Sequence, residues 1–230
     1  MKDYVRLVVS DLHLGSAYSK ESRLYSLIES TSCDELILAG DVIDFIKIPT
    51  FTKKTAALLD LITSIDCKVV YVIGNHDYVL RSFVGSTIDG IAFVEQYNFE
   101  YANRKYRIEH GDKYEDGVVQ WRYFMKVFSI FQDWVERTFN FNMAAFYVRN
   151  KKRKLKRIWD IVKWNDDVDV FVMGHTHKPE ALIWVDHNER IKTYVNTGDW
   201  VDHETYVIIK EGNIRLKNYE KSEDNYNEDA

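Results

Sequence analysis

Short apolar runs recur along this chain, and most of them stop at a Gly, Asp, Asn or His. Tyr4–Val9, Glu35–Ala39, Lys68–Ile73 and Val168–Met173 are rich in aliphatic and β-branched residues, the pattern of strands buried on both faces of a parallel sheet. Between the first three runs the apolar spacing changes to that of amphipathic helices. Leu24, Leu27 and Ile28 mark a helix over Lys20–Ser30 with Ser19 as its cap. Ala57, Leu58, Leu61, Ile62 and Ile65 mark the buried stripe of a second helix, capped by Thr50. Successive strand–helix–strand units predict right-handed crossovers and a parallel sheet.

Beyond Gly90 the runs shorten. Ile91–Val94, Asn98–Tyr101 and Tyr106–Glu109 predict three further strands. From residue 117 to 164 there is no strand signal. Trp121, Phe124, Met125, Phe128, Phe131, Trp134 and Val135 recur at helical spacing, and a second helical stretch, Met143–Trp164, carries the basic run Arg149–Arg157. Ala181–Val185, Ile191–Val195, Tyr206–Ile209 and Ile214–Leu216 are expected to complete a second sheet, with Glu211-Gly212-Asn213 as a hairpin turn. The predicted organisation is one domain over residues 1–219 with 117–164 as an inserted helical cap, followed by an acidic tail, 220–230, expected to be disordered.

Composition narrows the function classes. A chain of 230 residues with 46% hydrophobic content can form one sizeable core, burying roughly 70% or more of its unfolded surface. A net charge of −5 argues against a general nucleic-acid binder, so no specific nucleic acid is expected as a partner. The two cysteines, Cys33 and Cys67, lack metal-like spacing and read as reduced structural thiols. No charged, apolar and cleavage regions of a signal peptide precede the first strand, and no apolar run approaches membrane-spanning length. The expectation is a cytoplasmic chain.

The candidate chemistry sits where the strands end. Asp11 and His13 follow the first run and, two apart in an extended segment, point to one side. Asp41 follows the second and Asn75 the third, His110 ends a later strand, and His175 and His177 follow Val168–Met173. One Gly-Asp or one His at a strand end is usually a turn or a structural residue. Five such ends carrying seven oxygen or imidazole donors are enough for two divalent ions if one carboxylate bridges them. Mixed imidazole and carboxylate donors suit Mn²⁺, with Fe or Zn²⁺ as alternatives, better than Ca²⁺ or Mg²⁺. The absence of thiolate donors sets the cluster apart from structural zinc sites.

These segments resemble the calcineurin-like metallophosphoesterase family: Asp11-x-His13, Gly40-Asp41-x-x-Asp44, Gly74-Asn75-His76-Asp77, His110, and Gly174-His175-x-His177. The resemblance implies a four-layer α/β/β/α sandwich of two mixed sheets. It also implies one ion held by Asp11, His13, Asp41 and His177, and a second held by Asp41, Asn75, His110 and His175, with Asp41 as the bridge. His76 would act as general acid or phosphoryl-binding group, oriented by Asp44. Within the family the chain is similar to UDP-2,3-diacylglucosamine hydrolases, through His110-Gly111-Asp112, Trp121-Arg122, the basic helix running into Ile158-Trp159-Asp160-Ile161, Gly174–Pro179 and Asn196-Thr197-Gly198-Asp199-Trp200. Those hydrolases carry Arg after the metal-binding Asn; this chain carries His76, as the general phosphoesterase pattern does.

The chemistry implied is hydrolysis of a phosphodiester or pyrophosphate bond. Two ions about 3.5–4 Å apart activate a water and clamp the phosphoryl oxygens for in-line attack. A phosphorylated small-molecule or lipid-linked substrate is the expected partner, with Asp112, Trp121, Arg122, Lys151, Lys152, Arg153 and Lys154 as candidate substrate-binding residues. The basic run reads equally as a solvated helix face or as a surface for pyrophosphate and anionic membrane. The cap aromatics read equally as helix–helix packing or as a cover for acyl chains. A phosphodiesterase or nucleotide pyrophosphatase with a soluble substrate is the alternative function, and a metal-free binding scaffold a more distant one.

Overall fold

The computed structural model describes residues 4–46, 49–114 and 158–219. Strand β1 (Arg6–Val9) leads through helix α1 (Glu21–Ser30) to β2 (Glu35–Ala39), and helix α2 (Lys53–Ser64) leads to β3 (Lys68–Val72). A 3₁₀ turn at Tyr78–Phe83 and the short β4 (Thr87–Ile88) precede β5 (Ile91–Val94), β6 (Gln96–Tyr101) and β7 (Arg104–Glu109). After a helix at 158–163, here α3, come β8 (Val170–Met173), β9 (Glu180–Val185), β10 (Ile191–Asn196), β11 (Thr205–Lys210) and β12 (Asn213–Asn218).

The strands form two mixed sheets, one in the order β12-β11-β1-β2-β3-β5-β4 and the other in the order β6-β7-β8-β10-β9. β1, β2, β3 and β5 run parallel, as do β7, β8 and β10. Val8, Ile37, Val70 and Val207 of the first sheet pack on Tyr106, Ile108, Val170, Val172 and Val195 of the second. On the outer face of the first sheet, Leu7, Leu36, Leu38 and Val69 meet Leu24, Leu27 and Ile28 of α1 and Leu58 and Ile62 of α2. Phe171, Met173 and Tyr194 on the outer face of the second sheet meet Ile158 and Val162 of α3. The layers are therefore α/β/β/α. Residues 158–164, read from the sequence as the end of the cap, belong at least through Ile158 and Val162 to the sandwich's outer layer.

Three local expectations change. β11 and β12 belong to the first sheet rather than the second. β1 would otherwise show a bare edge beside β2, and β11 closes it by antiparallel pairing of Arg6 with Ile209 and Val8 with Val207. Alternation alone cannot choose between the sheets, because Val207 and Ile209 face the inter-sheet core in either case. The cap of α1 is Lys20 without a side-chain bond, while the Ser19 hydroxyl donates to the Leu12 carbonyl at 2.7 Å. The cap of α2 is Thr52, whose hydroxyl accepts from the Lys54 and Thr55 amides while Thr55 answers the Thr52 amide. That reciprocal capping box outcompetes Thr50 and turns Ala57 outward.

The β11–β12 hairpin has a two-residue loop, Glu211-Gly212, with φ of 52° and 74°. Both values are positive, as in the type I′ turns whose twist suits adjacent strands. Cys33 and Cys67 sit at the entrances to β2 and β3 as free thiols, with their sulfurs 3.8 Å apart. Among the described residues no helix is long and apolar enough to cross a membrane.

Candidate metal centre

Parallel pairing places the C-terminal ends of β1, β2 and β3 side by side in one sheet, and those of β7, β8 and β10 side by side in the other. The loops leaving these ends meet over the sandwich. Backbone bonds zip them together: Asp11 N–H donates to the Gly40 carbonyl at 3.0 Å, His13 N–H to Asp41 at 3.0 Å and Gly174 N–H to His110 at 3.1 Å.

Asp11, His13, Asp41, His175 and His177 all have positive φ, between 47° and 66°, so Asp11 and His13 stand in a left-handed turn and not in the extended segment expected from the sequence. Non-glycine residues rarely adopt this conformation, although Asp and His tolerate it better than most, and such strain concentrates at functional sites. The glycines of the motifs make room for the donors. A side chain at Gly74 would collide with the Asp41 carboxylate, and one at Gly174 with the carboxylate of Asp11.

One half of the cluster is built on Asp41 and His110, both almost fully buried. His110 Nδ1 lies 3.1 Å from the Ala39 carbonyl, so this nitrogen carries the proton. Its Nε2 then faces Asp41 Oδ2 at 3.1 Å and Asn75 Oδ1 at 3.1 Å. Asp41 Oδ1 is taken up by the His76 N–H at 2.8 Å, which leaves Oδ2 as the oxygen turned to the cluster. The ring of His175 lies edge-on to His110, with centroids 5.1 Å apart.

The other half is built on Asp11. Its Oδ2 accepts the Ser10 hydroxyl at 2.5 Å and the His175 N–H at 3.0 Å, while Oδ1 faces His177 Nε2 at 3.2 Å. His177 Nε2 lies 3.3 Å from His13 Nε2.

In both halves oxygen and imidazole groups face one another in buried surroundings, where a cation or a shared proton offsets the repulsion of their lone pairs. In the chain alone protons serve. Burial opposes charge on His110, yet Asp41 outweighs it and holds the imidazole well above its usual range. His177 is likewise desolvated, but Asp11 lifts it to about 8. Burial would raise Asp11, yet His177 draws it down to about 2. His13, desolvated and facing His76, falls to about 4. The donor set fits divalent ions: Asp11, His13 and His177 form one compact group, His13, Asp41 and His76 a second, and Asp41, His110 and His175 a third, with donor atoms within 4.8 Å in each.

His76 Nδ1 lies 2.8 Å from Asp44 Oδ1, and its Nε2 lies 3.9 Å from Asp41 Oδ2. Burial would lower this imidazole, but Asp41 and Asp44 raise it above its usual value. About a quarter of the side chain is open to solvent, whereas Asp41 and Asp44 lie beneath it.

Three buried residues outside the motif ligands shape the site, and sequence reasoning passed over them as site residues. Ser10 links the Asp11 carboxylate to the Thr197 hydroxyl. Asp77, fully buried, accepts from the amides of Gly74 and Val42 and from the Tyr71 hydroxyl. Asp199 accepts from the amides of Val201, Asp202 and His203 and stands near His177. A Gly-Asp after a strand was the available signal for Asp199, the same one that marks Asp41. Asp112 is half-buried in a 3₁₀ turn after His110 and adds to the negative field on that ring. Trp121, Arg122, Lys151, Lys152, Arg153 and Lys154 lie outside the described residues.

A groove of about 540 Å³ is lined by Ile158, Trp159, Leu182, Ile183, Trp184 and Tyr194 together with Glu180 and Lys178, the residue after His177. The rings of Trp159 and Trp184 meet edge to face at 4.8 Å.

The chain is similar to known proteins over most of its length. The UDP-2,3-diacylglucosamine hydrolase of Vibrio atlanticus is 23% identical over 253 residues, spanning 96% of this chain and 99% of its own. The protein of the same name from Vibrio cholerae serotype O1 is 23% identical over 229 residues, spanning 88% and 93%. Among solved structures, an archaeal phosphodiesterase aligns over 93% of this chain and 99% of its own, with 13% identity and a TM-score of 0.48. Vacuolar Protein Sorting 29 from Cryptosporidium parvum aligns over 94% and 96%, with 15% identity and a TM-score of 0.47. The profile of the calcineurin-like phosphoesterases matches residues 5–179. That span takes in every strand end from Asp11 to His177, and the chain belongs to this family of metal-dependent phosphoesterases.

Proposed function

We propose that the chain is a dinuclear phosphoesterase that hydrolyses a phosphodiester or pyrophosphate bond. The observation that carries this reading is Asp41. One of its oxygens is held by the His76 amide, and the other is turned into the cluster between the two groups of donors. Asp11, His13, Asp41 and His177 would hold one ion, and Asp41, Asn75, His110 and His175 the second. Mn²⁺ is the first choice, with Fe and Zn²⁺ also compatible with these donors. When bound, such a pair supplies Lewis acidity, which lowers the pKa of a water and offsets charge on the phosphoryl oxygens.

The chain's own residues supply the rest. Asp44 holds His76 Nδ1 and leaves Nε2 for the substrate. Asp41 and Asp44 raise the His76 pKa above the usual imidazole value, which suits it to deliver a proton to the leaving oxygen. The His76 amide also grips Asp41, so the acid and the bridging carboxylate are held in one geometry.

For the substrate we propose a pyrophosphate- or phosphodiester-linked acylated sugar of the kind named in the Vibrio relatives. The groove supports it, since Ile158, Trp159, Leu182, Ile183 and Trp184 give it apolar walls alongside Lys178, Glu180 and Tyr194. A soluble phosphodiester is the second reading, favoured by His76 standing where the diacylglucosamine hydrolases carry Arg. The basic run through Lys151, Lys152, Arg153 and Lys154 would meet the pyrophosphate or an anionic membrane surface.

Metal analysis together with a hydrolysis screen in Mn²⁺ tests the reading. The screen spans aryl monoesters, aryl diesters, UDP-sugars and an acylated UDP-sugar. Two ions per chain and turnover of diesters or pyrophosphates are expected, with both lost in Asp41→Ala. Wild-type turnover and metal content in that variant would overturn the assignment.

A further inference from the structure

The segment after β10, Asn196-Thr197-Gly198-Asp199-Trp200, is built into the site although the proposed chemistry assigns it nothing. The Asn196 amide donates to the Gly174 carbonyl at 2.6 Å, Thr197 N–H to the Met173 carbonyl at 2.8 Å, and Trp200 N–H to the Asp11 carbonyl at 3.1 Å. It therefore braces both the loop carrying His175 and His177 and the backbone of Asp11.

Within it Asp199 is fully buried and held from two sides. Its Oδ1 accepts the Val201, Asp202 and His203 amides at 2.9, 2.6 and 3.2 Å. Its Oδ2 accepts from His203 Nδ1 at 2.7 Å and stands 3.7 Å from His177 Nδ1, an ion-pair rather than a hydrogen-bond distance. Four donors offset the cost of burying this carboxylate, and its charge still faces one further neighbour. The neighbour it faces is the back of His177, whose front nitrogen, Nε2, looks at Asp11 and His13.

We propose that Asp199 is a positioning residue for the metal centre, resting on the dinuclear reading above. Its charge keeps the His177 proton on Nδ1, which leaves the Nε2 lone pair aimed at the ion shared with Asp11 and His13. His203, on the solvent side, keeps Oδ2 turned toward His177. Carboxylates behind ligating imidazoles commonly set tautomer and basicity, and their loss costs about 10–100-fold in metal affinity.

Asp199→Asn tests this, because its amide oxygen can still accept the three backbone amides while the charge is removed. Mn²⁺ binding is measured by titration calorimetry on the metal-stripped full chain, with thermal midpoints recorded alongside. The expected result is affinity reduced by about 10–100-fold for one of two ions, with the metal-free midpoint near wild type. Equal Mn²⁺ affinity in wild type and Asp199→Asn overturns the proposal while leaving the dinuclear reading intact; a wild type that binds no Mn²⁺ overturns that reading instead. Should the variant fail to fold, nitrogen-15 spectra of the Zn²⁺-loaded wild type decide the matter. His177 bearing its proton on Nδ1 supports the proposal, and coordination through Nδ1 refutes it.

Discussion

Asp77 accepts the backbone amide of Val42 at 2.8 Å, joining the loop after β3 to the loop after β2. The same carboxylate takes the Gly74 amide at 2.6 Å and the Tyr71 hydroxyl at 2.8 Å. Asp41 and Asn75 ride on the two loops it joins. Removing it strands three buried donors, each worth about 1–3 kcal/mol when left unmet. Asp77→Ala is therefore expected to lower unfolding free energy by roughly 3 kcal/mol or more in a denaturant titration. A loss below about 1 kcal/mol would show that these loops hold their shape without it.

His76 and Asp44 give the sharpest prediction about chemistry. His76→Ala is expected to lower kcat by about 10²–10⁴, as loss of a general acid does, while metal content stays near wild type. Asp44→Asn leaves the imidazole in place but removes its 2.8 Å partner, so the loss should be smaller and in the same direction. The discriminating comparison is between substrates. If His76 protonates the leaving oxygen, its removal costs more for alkyl than for nitrophenyl leaving groups. Equal losses on both would make it a phosphoryl-binding group instead.

The strand-end donors were legible because a parallel sheet exposes one C-terminal edge, and the sequence places an Asp, Asn or His after each buried run. Asp77 and Asp199 were harder to see as parts of the site. Their partners include Val42 and His177 on other loops and Tyr71 within β3, and no spacing along the chain encodes those meetings. The sheet to which β11 belongs was likewise hidden. Its alternation fits either sheet, and only the long-range pairing of Arg6 with Ile209 decides it. The glycines at 74 and 174 enter the sequence reading only as motif members, whereas the structure shows them as clearances for Asp41 and Asp11.

Proton occupancy of the cluster predicts how stability of the metal-free chain depends on pH. His177, His76 and His110 all have folded-state pKa values raised above the usual imidazole value, with His177 at about 8. A raised value means the folded state binds the proton more tightly than the unfolded chain. The associated stability is fully present below about pH 6.5 and is lost as pH rises through the folded values. Metal-free protein should therefore melt at a lower temperature at pH 8.5 than at pH 6.5. Mn²⁺ requires unprotonated imidazoles, so its stabilising effect should grow across the same interval. Thermal melts with and without Mn²⁺ check both trends, and a metal-free midpoint that rises toward pH 8.5 contradicts the first.

The groove makes the substrate class testable. Its apolar walls, Ile158, Trp159, Leu182, Ile183 and Trp184, border about 540 Å³ together with Lys178, Glu180 and Tyr194, within the usual range for a small-molecule site. Each methylene withdrawn from water contributes about 0.8 kcal/mol, so four buried methylenes of an acyl chain would favour binding by about 3 kcal/mol. Acylated substrate should exceed its deacylated analogue by about 10² in kcat/KM, since each 1.4 kcal/mol is a factor of ten. Leu182→Asp places a carboxylate on the groove wall and should shrink that ratio about tenfold or more, because an unpaired charge resists burial. The ratio rather than the absolute rate is the reading, since any general damage to the site divides out. A ratio near one in the wild type would remove the acylated substrate and leave a soluble phosphodiester in its place. A large wild-type ratio that survives Leu182→Asp would move the acyl site away from this groove.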